Sequence, residues 1–507
     1  MTRAVMEAYS EMIRENPKDY EAYLRRAGEY YRHNEYLRAL DDVNKAILYT
    51  PSAETDMRFQ AHTLRAGIYE MSHRYRQALD DLNQALELDP LSYPALYQRA
   101  NVRFELGQYS DAKADYTRLQ RFNARSQEAL FGLARVAVKE NNIGLANEYI
   151  EQAVALTPSQ SEAYIRRASV KSLMNDYNGA VDDLLLALST DGNNTKAISE
   201  IVSLANSNYA AVINGLTNAI RQAPRAGMFY YLRGTIAASH HHYVAAIADY
   251  EFIINEHLYN YAGIYASLAE CHYALGNYEK ASANIDTAIS DYKDEGEHKN
   301  YYVIRSKILR ATNDLARAES SVEKALLNDP AYTPALVEKA LVLTGQKKAQ
   351  EASDLLGEAS INDPFDPSFY MLRAWVLNDF MNQQNSARKF YTRIADLDID
   401  TDQVTSLYGF ALLFSGKTAE ATRWMEKCLS EPDYDGRNNY YGSCFYAWAG
   451  KPDKALDCME KSLQNGYANY YNWTVNTDGR LNVAPLRDTE RFQKLMSQYE
   501  GIFSTDN

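Results

Sequence analysis

The chain has 507 residues, of which 46% are hydrophobic and 24% charged, the balance of a well-packed protein. A formal charge of −14 excludes the concentrated basic surface that nucleic acid requires, so no nucleic-acid partner is expected. No apolar run approaches the ~18 residues of a membrane-spanning helix, and residues 1–20 carry no signal-peptide core because Arg3, Glu7, Glu11 and Arg14 interrupt the apolar positions.

A unit of about 34 residues recurs from the first residues to near residue 465, the period of stacked helix-turn-helix repeats. Let the small residue of each first helix be position 8, the small residues of the second helix positions 20 and 27, and the closing Pro position 32. Residues 1–17 supply only the second half of a unit, with Val5, Tyr9, Met12 and Pro17 at positions 20, 24, 27 and 32. A solenoid normally opens on a complete hairpin or a cap, so further repeats or a targeting sequence are expected upstream.

Residues 18–192 form an N-terminal array. Its units carry Ala27, Ala39, Ala46 and Pro51, then Ala66, Ala78, Ala85 and Pro90, then Ala100, Ala112 and Leu119. Ala134, Ala146, Ala153 and Pro158 follow, and Ala168, Ala180, Ala187 and Gly192 close the array. Residues 193–226 diverge, keeping Val212, Ala219 and Pro224 but no clear first helix. A shorter helix and a local change of curvature are expected there.

Residues 227–466 resume the period with Gly234, Ala246 and Ile253, then Ala269, Ala281 and Ala288. Ser306, Ala318, Ala325 and Pro330 lead to Ala340, Ala352, Ala359 and Pro364. After Ala374 and Ala387 the spacing slips by one residue, and units at Gly409, Ala421 and Cys428 and at Ser443, Ala455 and Ser462 complete the series. Residues 467–507 break the period and read as a C-terminal cap followed by a loose polar tail from Ser504 to Asn507.

Small residues at 8, 20 and 27 let two antiparallel helices approach closely, while Val43, Leu82, Tyr116, Ile150, Leu184, Tyr250 and Ile285 at position 24 fill the groove between them. Pro at 32 stops the second helix. Position 7 is often Arg, at Arg26, Arg65, Arg99, Arg167 and Arg233, and sixteen residues later each meets Asp42, Asp81, Asp115, Asp183 or Asp249. This recurrence predicts an ion pair from helix to helix inside each hairpin. The alternative is an Arg ladder for acidic ligands.

Tyr23, Ala27, Tyr30, Ala39, Val43, Ala46 and Pro51, with later copies such as Tyr230, Gly234, Ala246 and Tyr250, resemble the tetratricopeptide repeat over nearly the whole chain. The resemblance implies an all-α, right-handed superhelical solenoid of about thirteen repeats with a C-terminal cap. It also implies a protein or peptide partner held on the concave face, at positions 2, 5, 9 and 12 of the first helices. On this chain those positions give Tyr97, Asn101, Phe104, Phe131, Arg135, Tyr231, Tyr273, Lys307, Arg310, Trp375 and Phe410 as partner-binding candidates. Several of them are equally suited to packing against the next turn of the superhelix. The family's clamp for a C-terminal carboxylate is not expected, because Leu24 and Gly28 stand where its Lys and Asn would be.

The segment Tyr467–Trp473, then Pro485-Leu486-Arg487 and Arg491-Phe492, resembles a terminal segment of bacterial tetratricopeptide proteins, in which an Arg-Phe helix covers the last hairpin. The chain is similar to tetratricopeptide proteins of Bacteroidetes-type bacteria, many of them exported. That similarity implies a periplasmic or envelope setting, with a cytoplasmic one as the alternative.

No phosphate-binding loop, nucleophile elbow or HExxH is present, so no catalytic residue, cofactor or metal site is expected. His240-His241-His242 falls in a turn where adjacent side chains diverge, which reads as a solvated turn. Cys271, Cys428, Cys444 and Cys458 lie in no CxxC; they read as small core residues, with a Cys444–Cys458 bridge as the alternative. The expected function is a non-catalytic protein-interaction scaffold. A regulatory or substrate-positioning arm of a larger enzyme or envelope assembly complex is the alternative.

Overall fold

The computed structural model describes residues 2–156, 161–192, 194–258, 262–291, 299–364, 366–396 and 405–504. Pro158 and residues 505–507, to which a helix stop and a loose tail were assigned above, lie outside them. The fold is an all-α repeat solenoid, with no strand among the described residues. It divides into two compact units, Met1–Gly215 and Leu216–Asn507.

Unit 1 opens with the single helix Thr2–Glu15, followed by five helix pairs. They are Tyr20–Arg32 with Tyr36–Tyr49, Thr55–Met71 with Tyr75–Leu88, and Tyr93–Glu105 with Tyr109–Phe122. Gln127–Lys139 with Ile143–Leu156 and Ser161–Leu173 with Tyr177–Thr190 complete the set. Side chains cap several first helices: Asp19 accepts from the Ala22 N–H at 2.9 Å and Ser126 from Ala129 at 3.0 Å.

Between the helices of a pair, the residue at position 15 takes a left-handed conformation. Asn34, His73, Gly107, Asn141 and Asn175 do so in unit 1, with φ between 54° and 73°. Such a turn favours Gly and Asn, which bear this backbone at small cost. In the divergent repeat, position 15 is Ser207, and the turn is lost. Its first helix is therefore not shortened, as expected above, but runs from Thr195 to a break at Asn208 (φ −151°, ψ 77°). Beyond the break the Asn208 side chain caps the next turn by accepting from the Ala211 N–H at 3.1 Å.

Unit 2 continues with seven pairs. They are Gly227–Ser239 with Tyr243–Asn255, Ala262–Ala274 with Tyr278–Asp291, Lys299–Ala311 with Leu315–Asn328, and Thr333–Gly345 with Ala349–Asn362. Pro367–Asp379 with Gln384–Asp396, Thr405–Phe414 with Thr418–Ser430, and Arg437–Trp448 with Pro452–Gln464 follow. After them come a short helix, Tyr470–Thr474, 3-10 turns at Asp478–Arg480 and Ala484–Leu486, and the helix Glu490–Gln498.

The core is the periodic one. Ala27, Ala39, Ala46, Ala66, Ala78 and Ala85 are fully buried, as are Val43, Leu82 and Tyr116 at position 24. Each buried position-24 side chain contributes about 1.5–3 kcal/mol of hydrophobic stabilisation. Helix approach is close enough that a Cβ on Gly132 would fall 2.4 Å from the Tyr116 ring, so only Gly fits there. All four cysteines are free and buried; no bridge joins Cys444 and Cys458.

All five position-7 pairs form. Arg26 reaches the two Asp42 oxygens at 2.6 and 2.8 Å, Arg65 those of Asp81 at 2.8 and 2.7 Å, and Arg99 both of Asp115 at 2.9 Å. Arg167 grips Asp183, and Arg233 holds Asp249 at 2.9 and 2.6 Å. The third nitrogen has a further task that the spacing did not predict. Nη1 of Arg26, Arg65, Arg99 and Arg233 donates to Ser10, Asn44, Asn83 and Thr217, each at position 25 of the preceding second helix. One guanidinium therefore joins three helices and two repeats.

Candidate functional site

Within unit 1 the first helices of successive pairs present their exposed polar positions on one surface. A groove of about 500 Å³ runs over it, lined among others by Tyr9, Arg25, Glu29, Tyr31, Gln60 and Gln98. Gly28 and Gly67, both at position 9, leave its floor open. A Cβ on Gly28 would meet nothing within 4 Å, and one on Gly67 would come into ordinary contact with the Tyr31 hydroxyl at 3.4 Å and the Gln98 amide at 3.6 Å. None of these groove residues was among the expected partner-binding set. Glycine at position 9 of two successive repeats was the available signal.

Further along unit 1 the structure brings four expected residues together. Asn101 Oδ1 accepts from the Tyr116 hydroxyl at 2.7 Å and from Arg135 Nη1 at 3.3 Å. Arg135 Nη2 donates to Glu105 at 2.7 Å, and its guanidinium lies 4.0 Å over the Phe104 ring. Tyr97 Oη accepts from Arg166 at 3.0 Å. Tyr97, Asn101 and Arg135 are half-buried, whereas Phe104 and Phe131 lie within hydrophobic cores. These two phenylalanines are core rings and not surface for a partner, because successive first helices sit close enough to bury them.

Glu70 borders this surface. Burial pushes its carboxyl up to about 7, with Glu105 adding to the rise and a hydrogen bond from Gln98 opposing it. One oxygen, Oε1, is buried without a hydrogen bond.

Unit 2 treats the equivalent surface differently. Its own C-terminal segment lies against the first helices. The Tyr471 ring packs 4.6 Å from that of Tyr273, and Arg310 Nη2 pairs with Asp478 at 3.0 Å. Arg480 donates to Asp379 at 2.9 Å and sits 4.9 Å over the Trp448 ring. Tyr467 stacks 4.7 Å from Tyr440 and packs 4.4 Å from the His241 ring, and Trp473 is fully buried. Of the expected residues, Tyr273 and Arg310 are thus engaged by the chain itself. Trp375 and Phe410 are buried core rings, again a correction to the surface expected of them. Tyr231 packs at a tilt against Tyr250, 6.0 Å between ring centres. Lys307 lines a separate chamber with Glu270.

The final helix does cover the last hairpin: Phe492 is buried and Arg491 pairs with Asp457 at 2.7 Å. The preceding residues 467–480 turn inward, which the broken period did not reveal.

The three adjacent histidines have unlike surroundings. His240 Nδ1 bonds the Ile236 carbonyl at 2.9 Å, while His241 meets the Tyr243 hydroxyl at 2.8 Å. Burial lowers His241 to about 4, so the neutral ring accepts from Arg437 Nε at 3.3 Å.

A family model for the tetratricopeptide repeat matches residues 68–124 and 97–161. The chain is 32% identical over 111 residues to RNA polymerase II-associated protein 3 of Xenopus tropicalis, covering 20% of this chain and 16% of that protein. It is 26% identical over 171 residues to a DnaJ homolog subfamily C member 7 homolog of Dictyostelium discoideum, covering 30% of this chain and 32% of that protein. The matches therefore span less than a third of either relative's length. Among solved structures, yeast Tom70 is similar at 18% identity and a TM-score of 0.37, over 82% of this chain and 98% of that one.

Proposed function

We propose that this tetratricopeptide-repeat protein is a non-catalytic scaffold that holds a protein or peptide partner in the groove of unit 1. The observation that carries this reading is the open floor at Gly28 and Gly67, beneath walls of Tyr31, Gln60 and Gln98. Without side chains at position 9, a partner's backbone can approach the helices, and the amides and tyrosine can bond it. Tyr97, Asn101 and Arg135 extend the same surface and supply aromatic and cationic contacts of the kind that dominate interfaces. Nothing in this reading requires a reaction.

The test uses the full chain. A photoreactive residue at Gln60 cross-links partners, which are identified and purified. Binding of one purified partner is then measured for Gly28→Trp, which fills the floor, and for Arg135→Ala. Loss of about 10-fold or more in affinity is expected from each, with thermal unfolding intact. Binding equal to that of the unaltered chain in both variants would refute the proposal.

A further inference from the structure

Unit 2 contains a chamber of about 390 Å³, within the range of small-molecule pockets and too small for a long extended peptide. One wall is the chain's own C-terminal segment. Asn469 lines it and donates to the Tyr243 hydroxyl at 3.4 Å. The neighbouring Tyr471 and Trp473 are buried, so this wall is part of the fold. Any occupant is short.

The chamber holds two opposite charges. Glu270 and Lys307 are both at position 9, on first helices that neighbour each other. They occupy the places that Gly28 and Gly67 leave empty in unit 1. Among the described residues neither makes an ion pair within 4.0 Å, although other charged groups of unit 2 do, such as Arg310 with Glu338 at 2.9 Å. Glu270 is exposed to the chamber yet surrounded by protein, and this desolvation raises its carboxyl, with Lys307 the opposing influence. Glu338 also faces Lys307 electrostatically, but its oxygens are already taken by Arg310 and Ser306. The remaining lining includes a linked group of hydroxyls, with Thr235 bonded to Tyr250 at 3.2 Å and Ser267 also bonding Tyr250, and an apolar side formed by Ile304 and Ala274.

We propose that this chamber binds a small zwitterion of the α-amino-acid or dipeptide class, its ammonium on Glu270 and its carboxylate on Lys307. The two side chains share one chamber without pairing, and Lys307 still acts on the Glu270 carboxyl across it, so a ligand that carries both charges can complement each. An ammonium and a carboxylate joined by a short backbone, each with one hydrogen bond of ~2.8 Å to its partner, satisfy both at once. The hydroxyls fit backbone or side-chain polar groups, and the Ile304 side accepts an apolar side chain. This site is independent of the partner groove of unit 1.

The experiment is calorimetric titration and thermal shift of the full chain with alanine, leucine, lysine, glutamate, Ala-Leu and Leu-Ala. The N-acetylated and C-amidated form of each is titrated alongside. At least one zwitterion should bind with a dissociation constant of about 1 mM or tighter. Blocking either end, or substituting Glu270→Gln or Lys307→Met, should weaken that binding about 10-fold or more. Both variants replace side chains that line the chamber, and their unfolding curves report that the fold is kept. The proposal is overturned if no zwitterion binds up to ~10 mM, if blocked and free forms bind alike, or if both charge variants bind as the unaltered chain does.

Discussion

Arg310 donates through Nε to Glu338 at 2.9 Å and holds Asp478 at 3.0 Å through Nη2, so one guanidinium bolts the C-terminal segment to the inner helices of unit 2. Glu338 is only 1% exposed, and Arg310 and Ser306 are its hydrogen-bond donors. Arg310→Met would leave a buried carboxylate with the Ser306 hydroxyl as its hydrogen-bond donor and only the unpaired charge of Lys307 in reach, at a cost of about 3–5 kcal/mol. Asp478→Asn removes only the half-exposed arm, at about 0.5–1 kcal/mol. Hydrogen exchange of residues 470–480 should quicken in both variants, with global unfolding shifted appreciably only in the first. Unchanged exchange in both would contradict the role assigned to this guanidinium.

The hairpin pairs should not all respond alike to loss of the position-7 Arg. Asp115 has a second partner, Arg103 at 2.6 Å, whereas Asp249 relies on Arg233. Arg233→Met is therefore expected to destabilise by about 3–5 kcal/mol and Arg99→Met by roughly half of that. Urea unfolding of the two variants decides the order. A larger loss in Arg99→Met would contradict it.

Glu70 makes stability fall as pH rises. Its carboxyl is raised from 4.5 to about 7 in the folded chain, so below pH 4.5 both states are protonated and its contribution is whole. Between those values the unfolded chain releases the proton first, and stability declines until about pH 7. The full loss is on the order of 3 kcal/mol. Glu70→Gln should remove that slope, raising the urea midpoint at pH 8 relative to the unaltered chain while leaving it nearly unchanged at pH 4.

Lys347 occupies the left-handed turn position, φ 65°, with its side chain exposed. An L side chain there costs about 1–2 kcal/mol, of which Gly recovers part after its own loss of chain entropy. Lys347→Gly should stabilise by about 0.5–1 kcal/mol, read as a higher midpoint in thermal unfolding. A lower midpoint would mean that the lysine side chain contributes something beyond its turn.

Much of this architecture could be read in the residues themselves. Small side chains at 8, 20 and 27 specify close helix pairs, and the Arg–Asp recurrence specifies a contact between positions sixteen apart. Both are local, and local spacing carries them. Phe104, Trp375 and Phe410 show where that reasoning stops. Periodicity tells which way a ring faces along its helix, but burial of that ring is decided by how near the next first helix comes. The same limit hid the inward path of Tyr467–Arg480, because its partners Tyr273, Arg310 and Asp379 lie 101 to 198 residues away in the chain. The floor of the unit 1 groove, by contrast, was written plainly as glycine at position 9 in two consecutive repeats. Its signal is an absent side chain, whereas a contact surface is read from side chains that are present.

The backward reach of the position-7 arginines has a practical corollary for anyone who dissects this protein. Since Arg65 bonds Asn44 and Arg99 bonds Asn83, severing the chain between consecutive helix pairs strands a guanidinium nitrogen on one fragment and its acceptor on the other. The sequence period counts modules in whole hairpins. The polar chemistry counts them in overlapping triplets of helices, and fragments that respect the second tally should survive excision better than those cut to the first.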